Sequence, residues 1–217
     1  MRFLLFNLQL EIRMSASAAP FGFRPIYHPS GLDRARPYTI QASYVTQIAK
    51  NDPVAFGTTT ALGTVIAGGT TGDLLGTLVG VQYLDFTGKP TISNFWPTGG
   101  VANATQIVAW VMDDPADIFE AQTDGTFAVL ANVATATNWL QGVLGAQMNS
   151  VNESAANATT GISQAKLAGS TVTASAQAQF RIIEPGQQVD NNFLTDTFVI
   201  FQCSIAQHHY VSNKVAV

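Results

Sequence analysis

Asp113, Asp114, Asp117 and Glu120 form the densest acidic cluster in the chain. Such carboxylates could offer oxygens to Ca²⁺, which takes about six to eight of them. The spacing lacks the Asp-x-Asp-x-Asp-Gly pattern of a calcium loop. Asp-Asp-Pro-x-Asp is instead what a turn requires, because Asp bonds its own backbone and Pro presets the bend. His28 lies among prolines, and His208 and His209 are adjacent. Adjacent residues of a strand face opposite sides, so that pair does not share an ion. No metal ligands are assigned. There is no Gly-x-Ser-x-Gly elbow and no Gly-rich phosphate loop ending in Lys-Ser/Thr. No catalytic residue and no cofactor are assigned, and the chain reads as a non-enzyme. Two carboxylates facing a cleft, as in a glycan-degrading enzyme, form a weaker alternative in a chain with only 11% charged residues.

Trp96, Trp110, Trp139, Tyr83 and Asp113 could instead wall a sugar site. That would make the chain a carbohydrate- or receptor-binding β-domain. The discriminating observation is exposure: a sugar site needs two of these aromatics on one open face.

Residues 15–37 carry the strongest signal for a partner. The stretch holds Pro20, Pro25, Pro29 and Pro37, which forbid a continuous helix and extend the residues before them. Between them stand Phe21, Phe23, Arg24, Tyr27, Arg34 and Arg36, types enriched at interface cores. These six are the expected partner-binding residues. The expectation is an arm, residues 14–37, with little structure of its own until it docks on a neighbour.

Charge supports an arm that meets an acidic surface. Residues 1–37 carry five arginines against Glu11 and Asp33, a net of +3. The remaining residues carry five basic and twelve acidic groups, a net of −7. The acidic surface could belong to another copy of the body. No Lys/Arg cluster is interleaved with aromatics on a strand, so nucleic acid is not expected as a partner. No stretch reaches the roughly 18 apolar residues of a membrane helix, and no membrane partner is expected.

Residues 1–12, MRFLLFNLQLEI, resemble a small hydrophobic leader. Asn7 and Gln9 break the apolar run, and Glu11 and Arg13 follow it, which argues against a signal peptide. Met14 followed by Ser-Ala-Ser-Ala-Ala reads as an ordinary start. Residues 1–13 are therefore expected to be a dispensable upstream extension. The lone cysteine, Cys203, lies in an apolar run and is expected to be a small buried hydrophobe.

Residues 38–217 read as a β-rich body. Strands are expected at 38–46, 53–56, 62–67, 77–86, 90–96, 106–112, 118–122, 126–130, 177–183 and 192–204, from β-branched and aromatic runs bounded by Gly, Pro, Asn and Asp. Residues 131–148 partly fit a helix, and residues 149–176 read as loop with edge strands near Ile162 and Val172. The expected fold is mainly β: a single β-sandwich or small β-barrel with an extended N-terminal arm.

Three stretches carry a family resemblance. MSASAAPFGFRPIYHPSG from Met14 resembles the start of head decoration, or capsid cement, proteins of tailed bacteriophages. GVQYLDFTGKPTISNFWP from Gly80 is similar to their central hairpin, and WVMDDPADIFEAQTDG from Trp110 to the segment after it. The resemblance spans most of residues 14–203. It implies a structural virion protein on the outer surface of an icosahedral head, clamping neighbouring major capsid protein subunits. It also implies contact with other copies of itself, as a trimer or dimer.

Overall fold

In the computed structural model, residues 17–57, 63–125, 141–151, 156–157, 160–172, 177–193 and 195–211 are described. The chain is mainly β, as the sequence predicts. The described strands are β1 (Arg24–Tyr27), β2 (Ala35–Tyr38), β3 (Pro53–Phe56), β4 (Val65–Ala67), β5 (Gly76–Leu84), β6 (Pro90–Ser93) and β7 (Thr105–Met112). They continue with β8 (Ile118–Gln122), β9 (Gln147–Met148), β10 (Ser150–Val151), β11 (Lys166–Leu167), β12 (Phe180–Pro185) and β13 (Ile200–Ile205). Paired neighbours within the sheets are antiparallel.

One sheet has five strands in the order β1-β8-β13-β12-β9. A second has six, β2-β7-β5-β3-β4 with β6 also on β5, and β10 and β11 form a small two-stranded sheet. β5 and β6 form the hairpin expected from Thr87-Gly88-Lys89. Its turn is built by Asp85, whose Oδ1 accepts the N–H groups of Thr87 at 2.8 Å and Lys89 at 3.0 Å.

Two cores result. Phe23, Phe119, Met148, Phe180, Phe201, Cys203 and Ile205 cluster on the five-stranded sheet, joined by Met112 and Leu74. Ile40, Ile48, Leu75, Leu78, Val81, Trp96, Ala109 and Val111 cluster on one face of the six-stranded sheet. Cys203 is fully buried in the first of these cores as a small hydrophobe, and burial, with Glu120 nearby, pushes its thiol pKa up.

Several expectations are corrected. The strand expected at 38–46 lies earlier, at Ala35–Tyr38. After Ile40 the backbone turns, Tyr44 N–H returning to Gln41 O at 2.9 Å. Tyr44 then folds over the core: its hydroxyl takes Ala67 N–H and its carbonyl takes the Trp96 indole N–H. Near Val172 there is a 3₁₀ turn, Gly169–Thr171, in place of an edge strand. Trp96 is fully buried as expected, but Trp110 is 38% exposed. Ala109 and Val111 take the inward positions, so Trp110 must point to the opposite face of the pleat. Residues 1–13, the strand expected at 126–130 and most of the possible helix lie outside the described residues.

The largest correction concerns the arm. Residues 24–27 and 35–38 are extended, but they dock on this chain's own sheets. β1 closes an edge of the five-stranded sheet against β8, and β2 an edge of the six-stranded sheet against β7. The physical reason is burial. Phe23 has no exposed surface, and an aromatic ring that finds a core in its own chain is not held out for a neighbour.

Candidate functional site

Residues 24–38 run antiparallel to residues 105–122, and both segments cross from one sheet to the other. The two crossings, 28–34 and 113–117, therefore lie against each other. This brings the basic arm onto the acidic cluster of its own body.

Each crossing is shaped locally. Asp114 Oδ1 accepts Ala116 N–H at 2.9 Å, and Asp117 N–H donates to Asp114 O at 3.0 Å. Asp114 N–H in turn donates to Asp117 Oδ2 at 3.2 Å. This is the turn role that the Asp-Asp-Pro pattern predicts. Opposite, His28 Nδ1 accepts Ser30 N–H at 3.1 Å, and Gly31 N–H returns to His28 O at 2.8 Å. With Nδ1 accepting, the neutral ring carries its proton on Nε2. That nitrogen faces Asp114 Oδ1 at 3.2 Å.

The charges pair across the seam. Arg24 Nη2 lies 2.6 Å from Glu120 Oε2, and Arg24 also stacks over Phe21 at 4.8 Å. Gln188 donates to the other Glu120 oxygen at 2.7 Å. Arg36 Nε lies 3.3 Å from Asp113 Oδ1, and Tyr38 Oη donates to Asp113 Oδ2. Tyr38 and Tyr210 hydroxyls are 2.8 Å apart. Burial, then the Asp113 hydrogen bond, pushes the Tyr38 phenol well above its ordinary pKa. Asp114 is held below the usual carboxylate range, chiefly by Ala116 N–H and then by His28. Burial pushes Asp117 up to about 7, and the charges of Asp33 and Asp114 add to the effect.

A cavity of about 250 Å³ opens at the seam, lined by His28, Ser30, Leu32, Arg34, Arg36, Asp113 and Asp114. It holds charged groups of both signs. No group of three or more His, Cys, Asp or Glu with metal-binding geometry occurs among the described residues.

The six expected partner residues thus divide. Phe23 lies in the core, Phe21 is half-buried, and Arg24 and Arg36 are committed to Glu120 and Asp113. Tyr27, 48% exposed, and Arg34 remain at the surface. The sugar-site aromatics do not converge. Trp96 is buried and Tyr83 packs edge-on against it, on the face opposite Trp110, while Trp139 lies outside the described residues.

A second surface escaped the sequence reading. On the outer face of the six-stranded sheet, Pro37, Trp110 and Gly80 are cross-strand neighbours. Val108, Gln82 and Ile92 form the next row. Ile92 is 84% exposed, and Phe86 at the hairpin tip is 76% exposed. No charged side chain stands in these two rows. The run QIVAWVM is apolar at nearly every position, so periodicity alone could not show which residues face water.

No family model matches the chain, and no curated protein or solved structure matches it.

Proposed function

We propose that this chain is a structural virion protein that binds the outside of an icosahedral phage head and clamps neighbouring major capsid protein subunits. The observation that carries this reading is the charge-free outer face around Trp110 and Ile92. Exposed apolar surface of this kind marks contact sites, and aromatic residues dominate interface energetics. The three phage-like sequence stretches support the reading. One of them, from Gly80, supplies the β5–β6 hairpin that carries Ile92. Tyr27 and Arg34 offer additional contacts at the seam.

The arm enters this proposal in a changed role. It fastens the two sheets to each other and so makes the body a stiff unit. Contact with the shell then falls to the sheet face rather than to a free strap.

The test is co-sedimentation with purified heads that lack decoration, comparing the intact chain with Trp110→Asp and Ile92→Asp. The intact chain should sediment with the heads, and both variants should bind at least tenfold more weakly with unchanged melting. Failure of the intact chain to bind heads, together with Trp110-dependent binding to a glycan array, would replace this reading with the carbohydrate-binding one.

A further inference from the structure

Asp117 sits where the two sheet crossings meet, and it is 2% exposed. Its Oδ2 takes the Asp114 N–H, while Oδ1 is buried with no hydrogen-bond partner. Two other carboxylates act on it. Asp114 shares its crossing, and Asp33 comes from the facing 28–34 crossing. His28, also from 28–34, attracts Asp117 when its ring is protonated, and Arg36 of β2 acts on neighbouring Asp114. The arrangement suits a neutral acid. An ionised carboxylate here would bury an unpaired oxygen beside two like charges.

We propose that Asp117 is a proton-operated latch that holds the 28–34 crossing, with Leu32 and Arg34, against the body. The proposal stands apart from the shell-binding reading.

When Asp117 carries a proton, it adds no repulsion to the seated crossing. When it ionises, Asp33 faces its negative charge across the seam. Asp33 and its neighbours Leu32 and Arg34 are exposed, so this is the side of the seam that can yield. Asp117 itself is locked by the 113–117 turn. The direction follows from linkage. The folded group holds its proton up to about pH 7, whereas an ordinary carboxyl loses it near 3.8. The seated form is therefore fully favoured below about pH 4, loosens as pH rises towards 7 and changes no further above it.

The experiment is amide hydrogen exchange on the full chain between about pH 5.5 and 8.5, corrected for intrinsic rate. The expected result is that protection of peptides covering 28–36 falls by up to about tenfold per pH unit as pH rises to 7 and levels off above it, while β5 and β7 are unchanged. Asp117→Asn should remove this pH course. Asp33→Asn should reduce it, and it keeps the proposal testable if the first variant does not fold. A pH course unchanged in both variants would overturn the latch. So would one abolished only by His28→Gln, which would place the switch on the imidazole.

Discussion

The ring of Phe23 lies flat on that of Phe180, with centroids 4.0 Å apart and planes 10° from parallel. The contact pins the N-terminal segment to β12 in the five-stranded sheet. Phe23→Ala should cost about 3–5 kcal/mol in a urea titration, the usual range for a buried aromatic. A loss below about 1 kcal/mol would return the segment to a loosely held arm.

Gly22 and Gly31 allow a controlled comparison, since both have φ of +74°. A Cβ at Gly22 would lie 2.5 Å from Ser163 Cβ and 2.6 Å from Asn51 O, whereas one at Gly31 meets nothing within 4 Å. Alanine at Gly31 should cost about 1 kcal/mol from backbone strain alone. Alanine at Gly22 should cost at least about 1 kcal/mol more, because the crowding is added to the same strain. Equal effects in thermal melts would show that the close approach is not real.

The two described tryptophans should separate cleanly. Trp96→Ala should cost about 3–5 kcal/mol, since it empties the second core. Trp110→Ala should cost about 1 kcal/mol or less, because the ring already meets water. Denaturant midpoints measure both. A large loss at Trp110 would mean that the outer sheet face is covered within this chain.

Arg36 and Tyr38 both act on Asp113, which is 1% exposed. Their effects should therefore be coupled. In a double-mutant cycle, Arg36→Ala and Tyr38→Phe should show an interaction of about 0.5–3 kcal/mol. The lower half is expected, because the Arg36 side chain is 44% exposed and screened by water. Strict additivity would remove Asp113 as their shared partner.

Asp114 and Asp117 should pull stability in opposite directions with pH. The depressed carboxyl of Asp114 stabilises the fold above the ordinary carboxylate range and loses that contribution as acid protonates it. The raised carboxyl of Asp117 does the reverse. Its contribution is complete below about pH 4 and is lost as pH rises towards 7. Asp117→Asn should flatten the stability curve between these limits in urea midpoints. A variant that keeps the original slope would assign it to another group.

Much of the sheet framework was legible because local chemistry dictates it. Thr87-Gly88-Lys89 announces the β5–β6 hairpin, and Asp114-Pro115 announces the turn between β7 and β8. The acidic cluster and the basic segment were both visible as well, and their attraction could be anticipated. What the sequence could not give was the partner. Arg24 and Glu120 are 96 positions apart, and nothing local says whether such a pair closes within one chain or between two. Trp110 was misplaced for a related reason. An unbroken apolar strand carries no alternation from which to read its outer face. The contacts of Tyr210 with Tyr38 and Phe56 lie beyond the last strand expected from the sequence, 192–204.

The docking of residues 24–38 across both sheets has a consequence for biosynthesis. The segment leaves the ribosome before its strand partners, yet among the described residues β2 pairs only with β7, β1 only with β8, and Phe23 stacks on Phe180. Phe56 and Asn51 are made soon after it, but its ladder partners follow much later, Ala109 against Tyr38 being the nearest pair, and Phe180 later still. Residues 24–38 are thus made before the strands they must settle on. Until they do, β7 and β8 each present an unpaired edge, the kind of surface that recruits a strand from a neighbouring nascent chain.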